Sequence, residues 1–170
     1  MSDTRDEQSQ LMRAMQDYLQ VVSFRLGAEE YAIEITTVKE IILVEGITAV
    51  PQMPDYVEGV INLRGNVIPV LDLRRRFALD AAPFDEQTRI VVVRLGARII
   101  GLIVDAVSQV MRIPRGDIQD PPATIAGLAG EHLVGIARLA ERMVLLLDIE
   151  QVLGPAERSA LEVDNAPGAA

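Results

Sequence analysis

The chain of 170 residues contains no cysteine, no tryptophan and one histidine. The absence of cysteine excludes a disulfide framework, a thiol nucleophile and a cysteine-ligated metal site. His132 has neither cysteines nor a carboxylate cluster near it in the sequence, so we predict no metal site there. Aromatic residues make up only 4% of the chain. Its core must therefore be aliphatic.

Positive charge is scarce as well. The 16 Lys and Arg residues are outnumbered by 25 Asp and Glu, which gives a formal net charge of −9. This balance argues against nucleic acid and anionic membrane surfaces as partners. The one dense basic run, Arg74-Arg75-Arg76, is predicted to be a solvated helix face. Long apolar runs and a signal peptide are also absent, so we expect a cytoplasmic protein without direct membrane insertion.

The motifs of common enzymes are missing. The sequence has no Gly-x-Ser-x-Gly elbow and no glycine-rich phosphate loop followed by lysine. Asp72, Asp105 and Asp148 each follow an apolar run, which would suit paired catalytic carboxylates. Helix capping is the simpler interpretation, because Gln151 follows Asp148 at the spacing of a capping box. We therefore predict no enzymatic activity and no cofactor.

What the chain does have is many short runs rich in Val and Ile, separated by Gly, Pro and Asp. This pattern is typical of all-β barrels or sandwiches. Short helical turns are predicted at 36–42, 72–77 and 148–153. Residues 1–16 and 155–170 are predicted to be tails, the first with a possible short helix. The predicted strands are 18–26, 31–35, 47–50, 59–64, 66–71, 88–95, 98–104, 107–113, 132–139 and 142–147.

An internal repeat organises these strands. Phe24–Ala28 matches Val93–Ala97, and Gly59–Leu73 matches Gly135–Ile149 without a gap. The chain is therefore interpreted as two copies of one unit: hairpin, helical turn, hairpin and capped turn. Five strands per copy suit a small barrel that closes its own edges, with subdomains at approximately 17–80 and 88–154. A repeat does not say which strands pair, so strand exchange between the barrels stays open.

The segment Gly59–Phe77 is the most informative part of the sequence. It reads as a strand, a turn at Gly65-Asn66, a second strand and a helix capped by Asp72. Arg64 is the one charged residue of an otherwise apolar hairpin, and Glu40 is similarly embedded in an apolar segment. Such charges have either a binding role or an ordinary solvated partner, worth about 0–1 kcal/mol.

Four segments resemble the CheW family of chemotaxis adaptors: Tyr31–Ile41, Val60–Leu73, Val92–Gly96 and Gly101–Val107. The resemblance covers approximately residues 17–154. It implies an all-β fold of two small five-stranded, SH3-like barrels with short helical turns. It also implies a non-enzymatic adaptor that couples the cytoplasmic tips of chemoreceptors to the histidine kinase CheA. The alternative is a CheW paralogue in another receptor–kinase array, serving motility or biofilm formation.

The resemblance further implies roles for individual residues. Glu40 and Arg64 would be the paired charges of a receptor-coupling surface. The protein would be a monomer when free, would be recruited to membrane-associated receptor arrays, and would bind methyl-accepting chemoreceptors and the regulatory domain of CheA. The receptor-coupling surface would comprise Val38, Glu40, Ile41, Gly59, Asn62, Arg64 and Gly65. The kinase-facing surface would comprise Thr124, Ile125 and Leu128.

Overall fold

β-Strands make up most of the computed structural model, which describes residues 5–10, 17–80, 83–121 and 133–152. Residues 5–10 are helical and exposed. Short 3₁₀ turns occur at Ile35–Thr37 and Arg115–Asp117, and the short helices are α1 (Leu73–Arg76) and α2 (Ile149–Val152). The strands are β1 (Tyr18–Leu26), β2 (Glu29–Glu34), β3 (Val38–Leu43), β4 (Val57–Leu63), β5 (Asn66–Asp72), β6 (Arg89–Leu95), β7 (Arg98–Val104), β8 (Ala106–Pro114), β9 (Ile118–Gln119), β10 (Leu133–Leu139) and β11 (Arg142–Leu147).

The strands form two sheets, which confirms the all-β prediction. The six-stranded sheet has the order β8-β1-β2-β11-β10-β9, and the five-stranded sheet has the order β3-β6-β7-β5-β4. We call them the first and second sheet. Within the described residues neither ladder of paired strands returns to its starting strand, so neither sheet is a closed barrel.

The two copies of the repeat exchange their first hairpins. The β1–β2 hairpin of the first copy lies in the first sheet beside β8 and β11, and the β6–β7 hairpin of the second copy lies in the second sheet beside β3 and β5. Two parallel pairings connect the copies: Leu71 of β5 opposite Leu102 of β7, and Leu145 of β11 opposite Tyr31 of β2. Sheet membership therefore crosses the predicted boundary between residues 80 and 88.

Backbone details repeat between the copies. β-Bulges occur beside Gly59 in β4 and beside Gly135 in β10, at matching positions. Gly27 and Gly96 occupy the equivalent hairpin turns with nearly equal φ values of 61° and 62°. The two copies of the sequence repeat therefore have the same local backbone structure, because a bulge or a turn glycine fixes the backbone at each of these positions.

The largest hydrophobic cluster is shared between the sheets, and each sheet has a smaller cluster of its own. The shared cluster is largely aliphatic, although Tyr31 lies between Phe24, on which it stacks, and Phe77, to which it is tilted, at ring-centroid distances of 6.4 and 5.8 Å. Four apolar residues of the predicted strands, Ile35, Leu63, Ile136 and Leu145, are only partly buried. Fully buried members of the shared cluster include Phe24, Leu71, Leu73, Val91, Val93, Ile100, Leu102, Val104 and Val152.

Two secondary-structure predictions are wrong. The predicted helical turn at 36–42 is limited to the 3₁₀ turn at Ile35–Thr37, and Val38–Leu43 is the strand β3. Its pairing with β6 outweighs the helix-like spacing of its apolar residues, because tertiary contacts override local pattern. The predicted strand at 47–50 is reduced to one bridge between Thr48 and Val60.

Asp72 and Asp148 cap α1 and α2, as predicted for a capping interpretation: each side chain accepts a hydrogen bond from the backbone N–H two residues later, both at 3.0 Å. Asp105 does not cap a helix. Its Oδ2 accepts from the backbone N–H of Gly27 at 2.7 Å, and its Oδ1 accepts from Nη1 of Arg74 at 3.0 Å. It therefore connects the β1–β2 turn to α1.

The basic run is not a solvated helix face. Arg74 is 2% exposed and Arg76 is 8% exposed, whereas half of the Arg75 side chain is accessible. Nε of Arg74 donates to Oδ1 of Asp72 at 3.0 Å. The hydrogen bonds with Asp72, followed by those with Asp105, raise the pKa of Arg74 against the opposing effect of burial. Nε of Arg76 donates to the backbone carbonyl of Val152 at 2.9 Å, which fixes the end of α2.

Candidate functional site

The β4–β5 hairpin carries an arginine at the first position of its two-residue turn. Leu63 pairs with Asn66, so the turn residues are Arg64 and Gly65, and the predicted turn at Gly65-Asn66 is displaced by one residue. Both have positive φ, at 53° and 87°, as in the type I′ turns that suit the twist of a hairpin. Oδ1 of Asn62 accepts from the backbone N–H of Gly65 at 2.9 Å. The turn thus presents Arg64 at the tip of the hairpin.

Arg64 forms a two-pronged ion pair with Glu40. Nη1 donates to Oε2 at 2.6 Å and Nη2 donates to Oε1 at 3.2 Å. The Arg64 side chain is 71% exposed and that of Glu40 is 20% exposed. Glu40 lies on β3 and Arg64 follows β4, and these strands are the opposite edges of the second sheet. The pair therefore joins two edges that no continuous ladder connects in the described residues.

Gly59 lies where the chain after β3 meets β4, at the same two sheet edges that the Glu40–Arg64 pair joins. Backbone hydrogen bonds of 2.8 and 2.9 Å join Thr48, which follows β3, to Val60 of β4. A Cβ atom at Gly59 would lie only 2.2 Å from the carbonyl oxygen of Thr48. Glycine is required there because the two backbones approach too closely for any side chain.

Besides Glu40, β3 carries four apolar residues, which alternate between the two faces of the strand. Val38 and Ile42 are partly buried against the core clusters, whereas Ile41 and Leu43 are 40% and 56% exposed. A shallow cleft of about 180 Å³ opens beside Ile41. The cleft is lined from the first sheet by Ala106 and Val107, at the start of β8. The other lining residues are Ile41 of β3, Gln87, which precedes β6, and Arg89 of β6.

The structure therefore brings together most of the residues named from the sequence. Glu40, Asn62, Arg64 and Gly65 meet at the hairpin tip, Val38 and Ile41 flank Glu40 on β3, and Gly59 holds the underlying backbone. Thr124, Ile125 and Leu128 lie outside the described residues. The cleft residues Gln87, Arg89, Ala106 and Val107 were not anticipated. No local sequence signal marks them, because the pairing of β3 with β6 brings Arg89 near Ile41, and Ala106 and Val107 come from a strand of the other sheet.

The chemistry of this region is that of recognition. It offers a charged fork, exposed aliphatic side chains and a shallow cleft, which together can bind a protein surface. Among the described residues, no group of three or more His, Cys, Asp or Glu side chains is arranged to hold a metal ion. None of the described helices is long and apolar enough to cross a membrane.

Two open β-sheets that share a core and present such a surface define an interaction module. The family model of the CheW-like domain matches residues 20–157. The chain is 40% identical to the Chemotaxis protein CheW of Klebsiella aerogenes over 139 residues, which cover 82% of this chain and 84% of that protein. It is 39% identical to the Chemotaxis protein CheW of Helicobacter pylori over 138 residues, covering 81% and 83% of the two chains.

A solved structure agrees with these sequence matches. The scaffolding protein TtCheW from Thermoanaerobacter tengcongensis superposes with a TM-score of 0.76 at 32% identity, covering 82% of this chain and 94% of that one. The chain therefore belongs to the CheW-like family, whose matched members are chemotaxis and scaffolding proteins.

Proposed function

We propose that this protein is a non-enzymatic adaptor that couples the cytoplasmic tips of chemoreceptors to the regulatory domain of the kinase CheA. The observation that carries the proposal is the exposed Glu40–Arg64 fork, held by the same strand, β3, that carries Ile41 and borders the cleft. The protein acts in the cytoplasm as a monomer when free and is recruited to membrane-associated receptor arrays. The names of its relatives, chemotaxis protein and scaffolding protein, support this proposal.

An arginine at position 64 does not increase the stability of the fold. A side chain with a Cβ costs about 1–2 kcal/mol in the left-handed conformation that Arg64 adopts, and Asn is the residue that suits this turn position best. An exposed ion pair returns only about 0–1 kcal/mol. The Arg64 side chain is 71% exposed, and its guanidinium retains donors that point away from Glu40, as expected of a residue that contacts a partner.

The receptor tip is proposed to dock across β3 and the adjoining cleft. A helix binds through apolar residues spaced three or four apart, and Ile41, Leu43 and Val107 offer apolar contacts on this side of the molecule. The Glu40–Arg64 fork would then lie at the rim of the interface, where charged groups fix orientation and partner choice. The second interface, with CheA, is proposed for Thr124, Ile125 and Leu128.

A pull-down with receptor cytoplasmic fragments and the CheA regulatory domain tests the coupling proposal. Arg64→Asn preserves the turn and removes the guanidinium. We expect it to weaken receptor binding by about 30-fold, the loss of a hot-spot residue worth about 2 kcal/mol, while CheA binding is unchanged. The control is Arg138→Asn, which alters an exposed arginine of β10. Unchanged receptor binding in Arg64→Asn would refute the proposed role.

A charge swap separates two roles for Arg64. The double variant Glu40→Arg with Arg64→Glu restores the ion pair with its polarity reversed. Recovery of stability without receptor coupling would show that Arg64 contacts the receptor directly. Recovery of both would show that the pair only shapes the surface, which contradicts the direct contact proposed here.

The two surfaces are proposed to act separately. Ile125→Asp should weaken CheA binding and leave receptor binding unchanged, because it buries a charge in one interface only. The measurement is the affinity of each partner for the folded variant, with folding checked by circular dichroism. Equal loss of both partners would mean that this division of the surface is wrong.

A further inference from the structure

The molecule has a second concavity, which shares no lining residue with the cleft beside Ile41. It has a volume of about 310 Å³ and is walled by apolar residues of both sheets and of α2, including Leu19, Ala32, Leu95 and Leu146. Glu34, Asp148 and Glu150 line it with one arginine, Arg94. We call it the acidic cavity, because three carboxylates face one cation there. It shares no lining residue with the seven residues of the coupling surface.

The internal repeat shows what the equivalent place in the other copy contains. Asp148-Ile149-Glu150 corresponds to Asp72-Leu73-Arg74. In the first copy, the arginine side chain is buried, and its Nε and Nη2 donate to the two carboxylate oxygens of Asp72 at 3.0 and 3.1 Å. Phe84 covers this guanidinium, with 5.2 Å between the Cζ atom and the ring centroid. The first copy therefore shows how an aspartate at this position of the fold binds a guanidinium.

The second copy has the acceptors without the arginine. Oδ1 of Asp148 accepts from the backbone N–H of Glu150 at 3.0 Å, as Oδ1 of Asp72 accepts from that of Arg74. Oδ2 of Asp72 binds the arginine, whereas no donor among the described residues contacts Oδ2 of Asp148. Glu150 occupies the position of Arg74 and adds a second carboxylate. The cavity thus presents an open carboxylate oxygen beside an apolar wall.

We propose that the acidic cavity binds an arginine side chain presented by a partner protein. The apolar wall would cover the methylene groups of the arginine, and Asp148 with Glu150 would accept from its guanidinium. Arginine fits better than lysine, because the equivalent carboxylate of Asp72 is bound through two nitrogens of one planar fork. None of the described residues named for the proposed receptor and kinase surfaces lines this cavity, so the contact would give the adaptor a further point of recognition.

The test uses a capped tripeptide, acetyl-Leu-Arg-Leu-amide, titrated into the full-length ¹⁵N-labelled protein at low salt. The matched probe replaces arginine with citrulline, which has the same shape without the charge. We expect saturable shifts at the amides of Ala32, Glu34 and Leu146–Glu150. The citrulline peptide should bind at least about tenfold more weakly, equivalent to a loss of about 1.4 kcal/mol.

Two variants and a control locate the site. Asp148→Asn keeps the cap of α2, because Asn is as good an N-cap as Asp, and removes the charge. Combined with Glu150→Gln, it should weaken arginine-peptide binding by about tenfold or more. Glu45→Gln removes the same type of charge from an exposed position outside the cavity. It should change the affinity by less than about twofold, since exposed distant charges are screened.

Several outcomes would overturn the proposal. Equal binding of the citrulline peptide, unchanged binding in the Asp148→Asn, Glu150→Gln variant, or the absence of saturable shifts would each show that the cavity is not an arginine site. If the peptide binds only when Met12 and Met15 are replaced by serine in the full chain, the chain's own N-terminal segment occupies the cavity. That result would equally refute a partner's arginine as the occupant.

Discussion

The guanidinium of Arg74 contacts the carboxylate of Asp105 at 3.0 Å, although 31 residues separate them in the chain. Arg74 lies in α1, after the last strand of the β4–β5 hairpin, and Asp105 lies between β7 and β8. The other oxygen of Asp105 holds the backbone of Gly27, in the turn of the first sheet. This pair therefore fastens the two sheets to each other at the end of their shared core.

Arg74→Ala should destabilise the protein strongly. The substitution would remove the close partner of Asp72, which is 1% exposed, and leave this buried carboxylate only a 3.8 Å ion-pair contact with Arg75. Removing one partner of a buried ion pair costs about 3–5 kcal/mol, so we expect a loss of that size in the free energy of unfolding in urea. Arg75→Ala is the control, because half of its side chain is exposed and its Nε is 3.8 Å from Asp72. A comparable loss in both variants would contradict this role of the buried cluster.

Arg64→Asn should leave the protein as stable as before or raise its stability. The change gives up an exposed ion pair worth about 0–1 kcal/mol, while Asn-Gly is the preferred sequence for a type I′ turn. Arg64→Ala should be less stable than Arg64→Asn, since alanine gives up the pair and still strains the turn. The measurement is the urea midpoint of each variant. A large loss of stability in Arg64→Asn would show that the ion pair is structural.

Gly59→Ala should open the junction between β3 and β4. Its Cβ would meet the carbonyl oxygen of Thr48 at 2.2 Å, so one backbone must move. The cost should exceed that of Gly46→Ala, where φ is +69° but no atom lies within 4 Å, and which costs about 1–2 kcal/mol from the backbone conformation alone. Hydrogen exchange should show faster exchange at the amides of Thr48 and Val60. Unchanged protection of these two amides would refute the close approach.

Tyr31 should make stability fall at alkaline pH. Burial, with a smaller contribution from Glu29, raises the pKa of Tyr31 above its ordinary value of 10.0. A raised pKa in the folded state gives stability that is complete below the unfolded value and is lost as pH rises above about 10. Urea midpoints measured from pH 8 to about 11 should fall less steeply in Tyr31→Phe. An equally steep fall in Tyr31→Phe and in the unmodified protein would contradict this role of Tyr31.

Local pattern was sufficient for much of the candidate site. The apolar hairpin with a single arginine points to Arg64, and the glutamate set in an apolar segment points to Glu40, from the sequence alone. The position of the turn was missed by one residue, because Gly65-Asn66 offers good turn chemistry and the pairing of Leu63 with Asn66 is decided across the hairpin. The cleft beside Ile41 could not be predicted, since its residues come from three separated segments.

The buried arginines show most clearly that composition alone does not predict which charged residues are buried. A run of three arginines predicts solvation, because an isolated buried charge is costly. Two of the three are buried in the structure, since Asp72 and Asp105 pair with Arg74, and the carbonyl of Val152 accepts from Arg76. The two partners of Arg74 follow apolar runs in the sequence, where capping was the expected role. Only one of them caps a helix.

The sequence by itself determined most of the strands, the two-copy repeat and the helix caps at Asp72 and Asp148, because alternation, turn residues and capping residues act over a few neighbouring positions. It left open which hairpin joins which sheet. The first hairpins of the two copies are so alike that either could extend either sheet with the same kind of register. Tertiary structure decided for exchange, through the parallel pairings of β5 with β7 and β2 with β11 and through the Asp105 contacts that join the sheets. Those contacts combine residues distant in sequence, and no local pattern specifies them.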